Sequence, residues 1–157
     1  MSNRYFPIIA GCGACFAIGV LAYLDALTHS GLWLMAPFGA TTVLVFGVPK
    51  SQLAQPRNVI MGHVLSATIG VTFFTYVGVE PWSLAIATGF AVMLMIATNT
   101  THPPAGADPI LIMLLGKSWG FIITPVFAGA VTIVLIGIVV NKLKELSEST
   151  YTENSTS

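Results

Sequence analysis

Apolar residues in this chain come in long blocks separated by short polar or Gly/Pro punctuation. The clearest blocks are Phe6 to Leu24, Val59 to Val77, Trp82 to Thr98 and Phe121 to Val140. Each is close to the roughly 17 to 25 residues that a helix needs to cross the hydrocarbon core of a bilayer. Two further blocks are interrupted: Gly31 to Val48 at Pro37 and Gly39, and His102 to Gly116 at Pro103, Pro104, Gly106 and Pro109. A proline inside a helix removes a hydrogen bond and clashes with the preceding turn, so both blocks are predicted to be broken.

The two interrupted blocks are related. Moving the chain along itself by 67 residues lays Pro37, Gly39, Ala40, Leu44, Lys50 and Ser51 on Pro104, Gly106, Ala107, Leu111, Lys117 and Ser118. The match continues with Val59, Gly62, Val64, Ile69 and Gly70 on Val126, Gly129, Val131, Ile136 and Gly137. The shared pattern is Pro-x-Gly-Ala, an apolar half-segment, Lys-Ser, then a helix with small residues at matching places. A tandem duplication explains it. Its halves cover residues 6–78 and 82–143 of one transmembrane domain, 1–145, and the polar tail 146–157 is predicted to fray into disorder.

The expected fold is therefore an all-α integral membrane protein with four full spans and two broken segments. The broken segments either cross the bilayer or dip in and return. If both cross, Arg4, Lys50, Arg57, Lys142 and Lys144 share one side, and Asp25, Glu80 and Lys117 share the other. If both dip, the basic residues divide evenly. The positive-inside bias favours the crossing arrangement with both termini cytoplasmic, which makes the two repeats inverted.

Composition agrees with the lipid environment: 55% of the 157 residues are hydrophobic and 8% are charged, with a mean hydropathy of +0.84. Six Lys or Arg balance six Asp or Glu, which leaves no basic excess for nucleic acid. Met1 to Pro7 carries one Arg and no Arg/Ser-rich leader, so the expected location is the plasma membrane of a bacterium or cyanobacterium. Lipid gives helices no hydrophobic drive to associate, so small residues must let backbones approach. Gly62, Ser66 and Gly70 are expected to form one such seam, and Gly11, Cys15 and Gly19 another, with Cys12 and Cys15 serving as packing residues. A homo-oligomer is compatible with this pattern.

Candidate chemistry lies at the breaks. Asn99-Thr100-Thr101-His102-Pro103-Pro104-Ala105-Gly106-Ala107-Asp108-Pro109 sets polar side chains between apolar blocks. Irregular backbone at membrane depth is tolerated only against protein or a water-filled cavity. His102-Pro103-Pro104 with the following Ala-Gly-Ala-Asp-Pro resembles the signature of the HPP family of small integral membrane proteins. The resemblance extends through Pro37-Phe38-Gly39-Ala40-Thr41 and Pro56-Arg57-Asn58 and excludes the last dozen or so residues. It implies a transporter of nitrite or a similar small anion, and the usual family description gives four spans.

Read physically, two half-helices are expected to begin after Pro-x-Gly-Ala, at Thr41-Thr42 and at Asp108-Pro109. Their free amides and partial positive charge would attract an anion, and Gly39 and Gly106 would let backbone approach it. Asp108 before Pro109 is either an N-cap or a functional carboxylate. If functional, it is protonated during anion transport or serves a small cation. His102 is either a proton shuttle or a partner for a freed carbonyl, and His63 either lines the path or bonds between helices. Thr41 and Thr42 read as caps or ligands. The chain shows no nucleophile with a base at recognisable spacing, no phosphate loop and no Cys/His ligand cluster, so neither an enzyme nor a cofactor is expected. A non-transporting membrane scaffold or sensor subunit is the alternative.

Overall fold

The computed structural model describes residues 5–28 and 33–154, with side chains through Leu146. All regular structure among them is helical. The helices are α1 (Phe6–Thr28), α2 (Ala36–Thr42), α3 (Pro56–Tyr76), α4 (Pro81–Ala97), α5 (Asp108–Leu114) and α6 (Ala128–Asn154). Three helical stretches are long and apolar enough to cross a membrane: Phe6–Thr28, Pro56–Tyr76 and Ile122–Leu146. The α4 helix has 17 residues, at the short end of the spanning range.

Local chemistry sets the boundaries. Proline occupies the first turn of α2, α3, α4 and α5, where its missing N–H costs nothing. Glu80 and Ser83 cap α4 reciprocally. Asn99 (φ 54°) and Gly116 (φ 60°) turn the chain after α4 and α5. A π-helical stretch, Ile122–Phe127, leads into α6; within it Thr124 is extended and the Thr124–Pro125 peptide bond is cis.

The two interrupted blocks differ. Pro37 falls in the first turn of α2, so no break occurs there; the helix instead widens into a π turn over Val43–Gly47. Gly31 and Leu32 lie outside the described residues. The second block does break: extended His102 leads into a 3₁₀ turn, Pro103–Ala107, and α5 follows.

Side-chain contacts give the running directions. Arg57 and Asn58, at the start of α3, donate to Thr98 O and Thr101 O, at and just beyond the end of α4. Along α3, Gly62 packs on His102, Gly70 on Pro109 and Ile112, and Phe74 on Gly116. Residues 102–116 therefore run beside α3 in its own direction. On the other side, Gly129 packs on Phe38 and Gly137 on Val45, and Asn141 Nδ2 donates to Val45 O, so Ala36–Gly47 runs parallel to α6. Gly13 packs on Phe46 and Val140, and Lys144 Nζ lies 4.0 Å from the Phe6 ring centroid, so α1 begins where α6 leaves the core.

The Gly62/Ser66/Gly70 seam is buried as expected. The one on α1 is not: a Cβ on Gly11 or Gly19 would meet nothing, Cys12 and Cys15 are exposed, and the buried edge is Gly13, Ala17 and Leu21. The small residues at 11, 15 and 19 share a face, but it points away from the core. Helix α6 continues through Asn154 where a disordered tail was expected, and residues 155–157 lie outside the description.

Candidate functional site

Four polar side chains from three regions meet in the core, each with no exposed surface: Thr41 of α2, His63 of α3, His102 before the 3₁₀ turn, and Asp108 at the start of α5. Thr41 Oγ1 lies 2.8 Å from His63 Nε2 and 2.9 Å from His102 Nε2. His63 Nδ1 lies 2.7 Å from Asp108 Oδ2, and His102 Nδ1 lies 2.8 Å from the Leu53 carbonyl. The result is one chain, Asp108, His63, Thr41, His102, Leu53 O, with a side contact from Thr41 to Pro37 O. Phe38 packs edge-on to His63 at 5.3 Å, and the two imidazoles are edge-on at 5.0 Å.

Donor and acceptor rules constrain the protons. A carbonyl only accepts, so His102 Nδ1 carries the proton toward Leu53, and Nε2 of a neutral His102 must then accept. Thr41 has one hydroxyl proton and three neighbours, because Pro37 O also lies 3.0 Å away. Donating it to His102 leaves Thr41 to accept from His63 Nε2–H, and His63 Nδ1 then accepts from the Asp108 carboxyl. In that arrangement every donor points from Asp108 toward Leu53. If His102 is doubly protonated, Thr41 accepts from it and can turn its own proton to Pro37 O. Asp108 Oδ1, buried and without a hydrogen-bond partner, is the open end of the chain. A buried oxygen left bare costs about 1–3 kcal/mol.

Other expected site residues fall around this chain or away from it. Pro37 and Pro104 are buried, Pro103 is exposed, and Thr42 is buried with its hydroxyl donating to Gly39 O. Asn99 is exposed and serves the turn. Gly39 is exposed and Gly106 half-buried, and a Cβ on either would meet nothing within 4 Å, so these glycines mark no close backbone approach. The half-helix reading changes too. Helix α2 begins at Ala36, which puts Thr41 inside it; Asp108 is the first residue of α5 and makes no cap hydrogen bond, because its carboxyl turns to His63.

Two parts of this arrangement are not singled out as site residues by the sequence: the Leu53 carbonyl, a backbone atom, and Phe38, which stands out there only within the Pro37–Thr41 motif. Gly62 is expected from sequence as a packing residue. It precedes His63, and a Cβ there would stand 2.8 Å from His102 Cβ, so glycine lets the HPP segment lie this close to α3. Among the described residues no group of three His, Cys, Asp or Glu is placed to hold a metal ion.

Comparison with known proteins decides the lineage: residues 3–151 match the HPP transmembrane region. The chain belongs to the HPP family. Two relatives from Dictyostelium discoideum are described as transmembrane proteins. One is 37% identical over 142 residues, 85% of this chain and 50% of that protein; the other is 36% identical over 133 residues, 79% and 42%. This HPP chain thus spans about half the length of the curated relatives it matches. No solved structure matches it. The His102-Pro103-Pro104 signature has a physical reading here: His102 completes the buried chain, and the prolines start the 3₁₀ turn that delivers Asp108 to His63.

Proposed function

We propose that this HPP protein transports a small monovalent anion, nitrite by family resemblance, and does no enzymatic chemistry. The observation that carries this reading is the buried Asp108–His63–Thr41–His102 chain that joins α3 to the two Pro-x-Gly-Ala segments. Ionisable groups at membrane depth are functional by default. Asp108 donates to an imidazole as a neutral carboxyl, so it sets no charge against an anion, while two imidazoles offer donors once protonated.

The reading rests on an inverted two-fold plan with six crossings. Thr41 follows Pro37-Phe38-Gly39-Ala40 as Asp108 follows Pro104-Ala105-Gly106-Ala107, and these matched positions bond the two nitrogens of one ring, His63. Gly70 packs on Ile112 while Gly137 packs on Val45, the same pair after a shift of 67 in opposite order. The running directions of the segments support crossing by both Pro-x-Gly-Ala blocks, with Lys50, Lys142 and Lys144 lining one cavity at one end. That end is the cytoplasmic side under the positive-inside bias, in a bacterial plasma membrane.

Uptake into proteoliposomes tests the transport reading, with nitrite, nitrate, formate and chloride compared. Saturable uptake of one of them above empty vesicles is expected. Selective cation flux would overturn the anion assignment, and no flux of any solute would favour a scaffold or sensor subunit. Cysteines at positions 50 and 117 should label from opposite sides; labelling from one side would reduce the plan to four crossings.

A further inference from the structure

We propose that a proton is the co-substrate of this protein, relayed along the His63–Thr41–His102 chain, and that its departure unlatches the turn at Leu53. The inference rests on the transport reading above.

The geometry supplies both ends of the relay. Asp108 Oδ1 is buried and makes no hydrogen bond, which leaves it a lone pair for a proton that water delivers from the face opposite Leu53 when that face opens. When that proton arrives, the Oδ2 proton passes to His63 Nδ1, the His63 Nε2 proton passes to Thr41 Oγ1, and the Thr41 proton passes to His102 Nε2. Each transfer breaks one donor–hydrogen bond and makes another along a contact of 2.7–2.9 Å, so one proton enters and the excess moves to His102. His102 then holds protons on both nitrogens and gives the Nδ1 proton to water on the Leu53 side. Leu53 is half-buried beside exposed Gln52 and Lys50, which brings that end near solvent.

Release has a structural consequence. It leaves two acceptors, His102 Nδ1 and the Leu53 carbonyl, facing each other at 2.8 Å where a hydrogen bond had been. Two lone pairs at that distance repel, so the contact opens or admits water. The bond ties the HPP segment of the second repeat to the Gln52–Ala54 turn of the first, so opening it releases that turn from the HPP segment while Arg57 and Asn58 still bond Thr98 O and Thr101 O. The chain regains its first polarity when every link resets: the Asp108 proton turns from Oδ1 to Oδ2, each imidazole exchanges its proton between ring nitrogens through the admitted water, and the Thr41 hydroxyl turns back toward His102.

Among the described residues no other titratable group bonds to the chain. Helices α2 and α4 contain none; on α1 Cys12, Cys15 and Tyr23 are exposed and Asp25 accepts from Trp33 N. On α3 Tyr76 is exposed and exposed Arg57 bonds Thr98 O; Lys50, near Leu53, is exposed; and those of α6 begin at Lys142, beyond the Asn141 that bonds Val45 O. Thr41 is thus the one uncharged link, and its removal leaves every titratable group in place.

The test uses the full chain in proteoliposomes. With an inward pH gradient, wild type should accumulate the transported anion, and Thr41→Val should lose gradient-driven accumulation to the level of empty vesicles. Thr41→Val should also lose the proton entry that accompanies anion uptake, read by a pH dye trapped in the vesicles, while remaining a folded species in detergent, and Thr41→Ser should restore both accumulation and proton entry. Full accumulation by Thr41→Val would overturn the relay. The latch has its own readout, independent of anion flux: alkylation of a cysteine at Gln52. It should accelerate when the Leu53 side is made alkaline, and stay slow with His102→Gln, whose amide still donates to Leu53 O but releases no proton. Equal pH response in both proteins would overturn the latch even where no anion moves, and no anion movement by wild type would overturn the transport reading instead.

Discussion

The two Pro-x-Gly-Ala segments begin alike and end differently. In the first, one proline sits in the opening turn and the helix runs on, so Thr41 lies inside α2 with its hydroxyl among Pro37 O and two imidazoles. In the second, Pro103, Pro104 and Pro109 break the path and Asp108 starts a new short helix with one carboxyl oxygen bonded and one bare. Two segments with the same Pro-x-Gly-Ala pattern thus present two chemistries to one histidine. A hydroxyl can accept and donate at once and so forms a link, whereas a carboxyl with a free oxygen forms an end.

The largest expected effect breaks that asymmetry. Thr41→Val leaves one nitrogen of each imidazole without a partner and should cost about 2–6 kcal/mol, roughly 1–3 kcal/mol for each unsatisfied buried group. Asp108→Leu at the matched position strands only His63 Nδ1 and should cost about 1–3 kcal/mol. Unfolding in mixed micelles compares the two, and equal losses would dissolve the contrast between link and end.

Next in size is the seam between α3 and the HPP segment. Gly62→Val and Gly70→Val force a side chain against His102 and Pro109 and should each cost about 1–3 kcal/mol by overpacking. The same unfolding assay should find Gly137→Val similar, since that position packs on Val45 in the opposite half. A silent Gly137 variant would show that the halves are unequal there as well.

A subtler effect separates charge from hydrogen bonding. Asp108→Asn keeps a donor for His63 Nδ1 but has no carboxyl to take or pass a proton. Its stability should stay within about 1.5 kcal/mol of wild type, the worth of a typical hydrogen bond, while anion flux loses its dependence on external pH. Flux measured against pH decides it, and a full wild-type profile would reduce Asp108 to a structural partner. The smallest effect belongs to Gly39→Ala and Gly106→Ala. Both sites have open space beside them, so stability should change by about 0.5 kcal/mol or less, the range of ordinary surface substitutions. A large loss at either would restore them as points of close approach.

Much of this was legible in the chain itself. Length and hydropathy of the apolar blocks dictate membrane helices, because lipid leaves the backbone no partner except its own helix. The recurrence of Pro-x-Gly-Ala and Lys-Ser marked the related segments, and His63, His102, Thr41 and Asp108 were already candidates as polar residues in apolar surroundings. What the sequence could not say is which of them touch. Whether Pro37 breaks a helix or begins one depends on where the preceding turn ends, and whether Asp108 caps α5 or bonds His63 depends on a residue 45 positions away. Gly39 and Gly106 looked like close-approach sites, yet the approach happens at Gly62 and Gly70, on a helix that packs against the HPP segment. Hydrophobicity and backbone propensity act locally and can be read in order along the chain. Hydrogen-bond partnership among buried side chains depends on distances that exist only once the helices have packed.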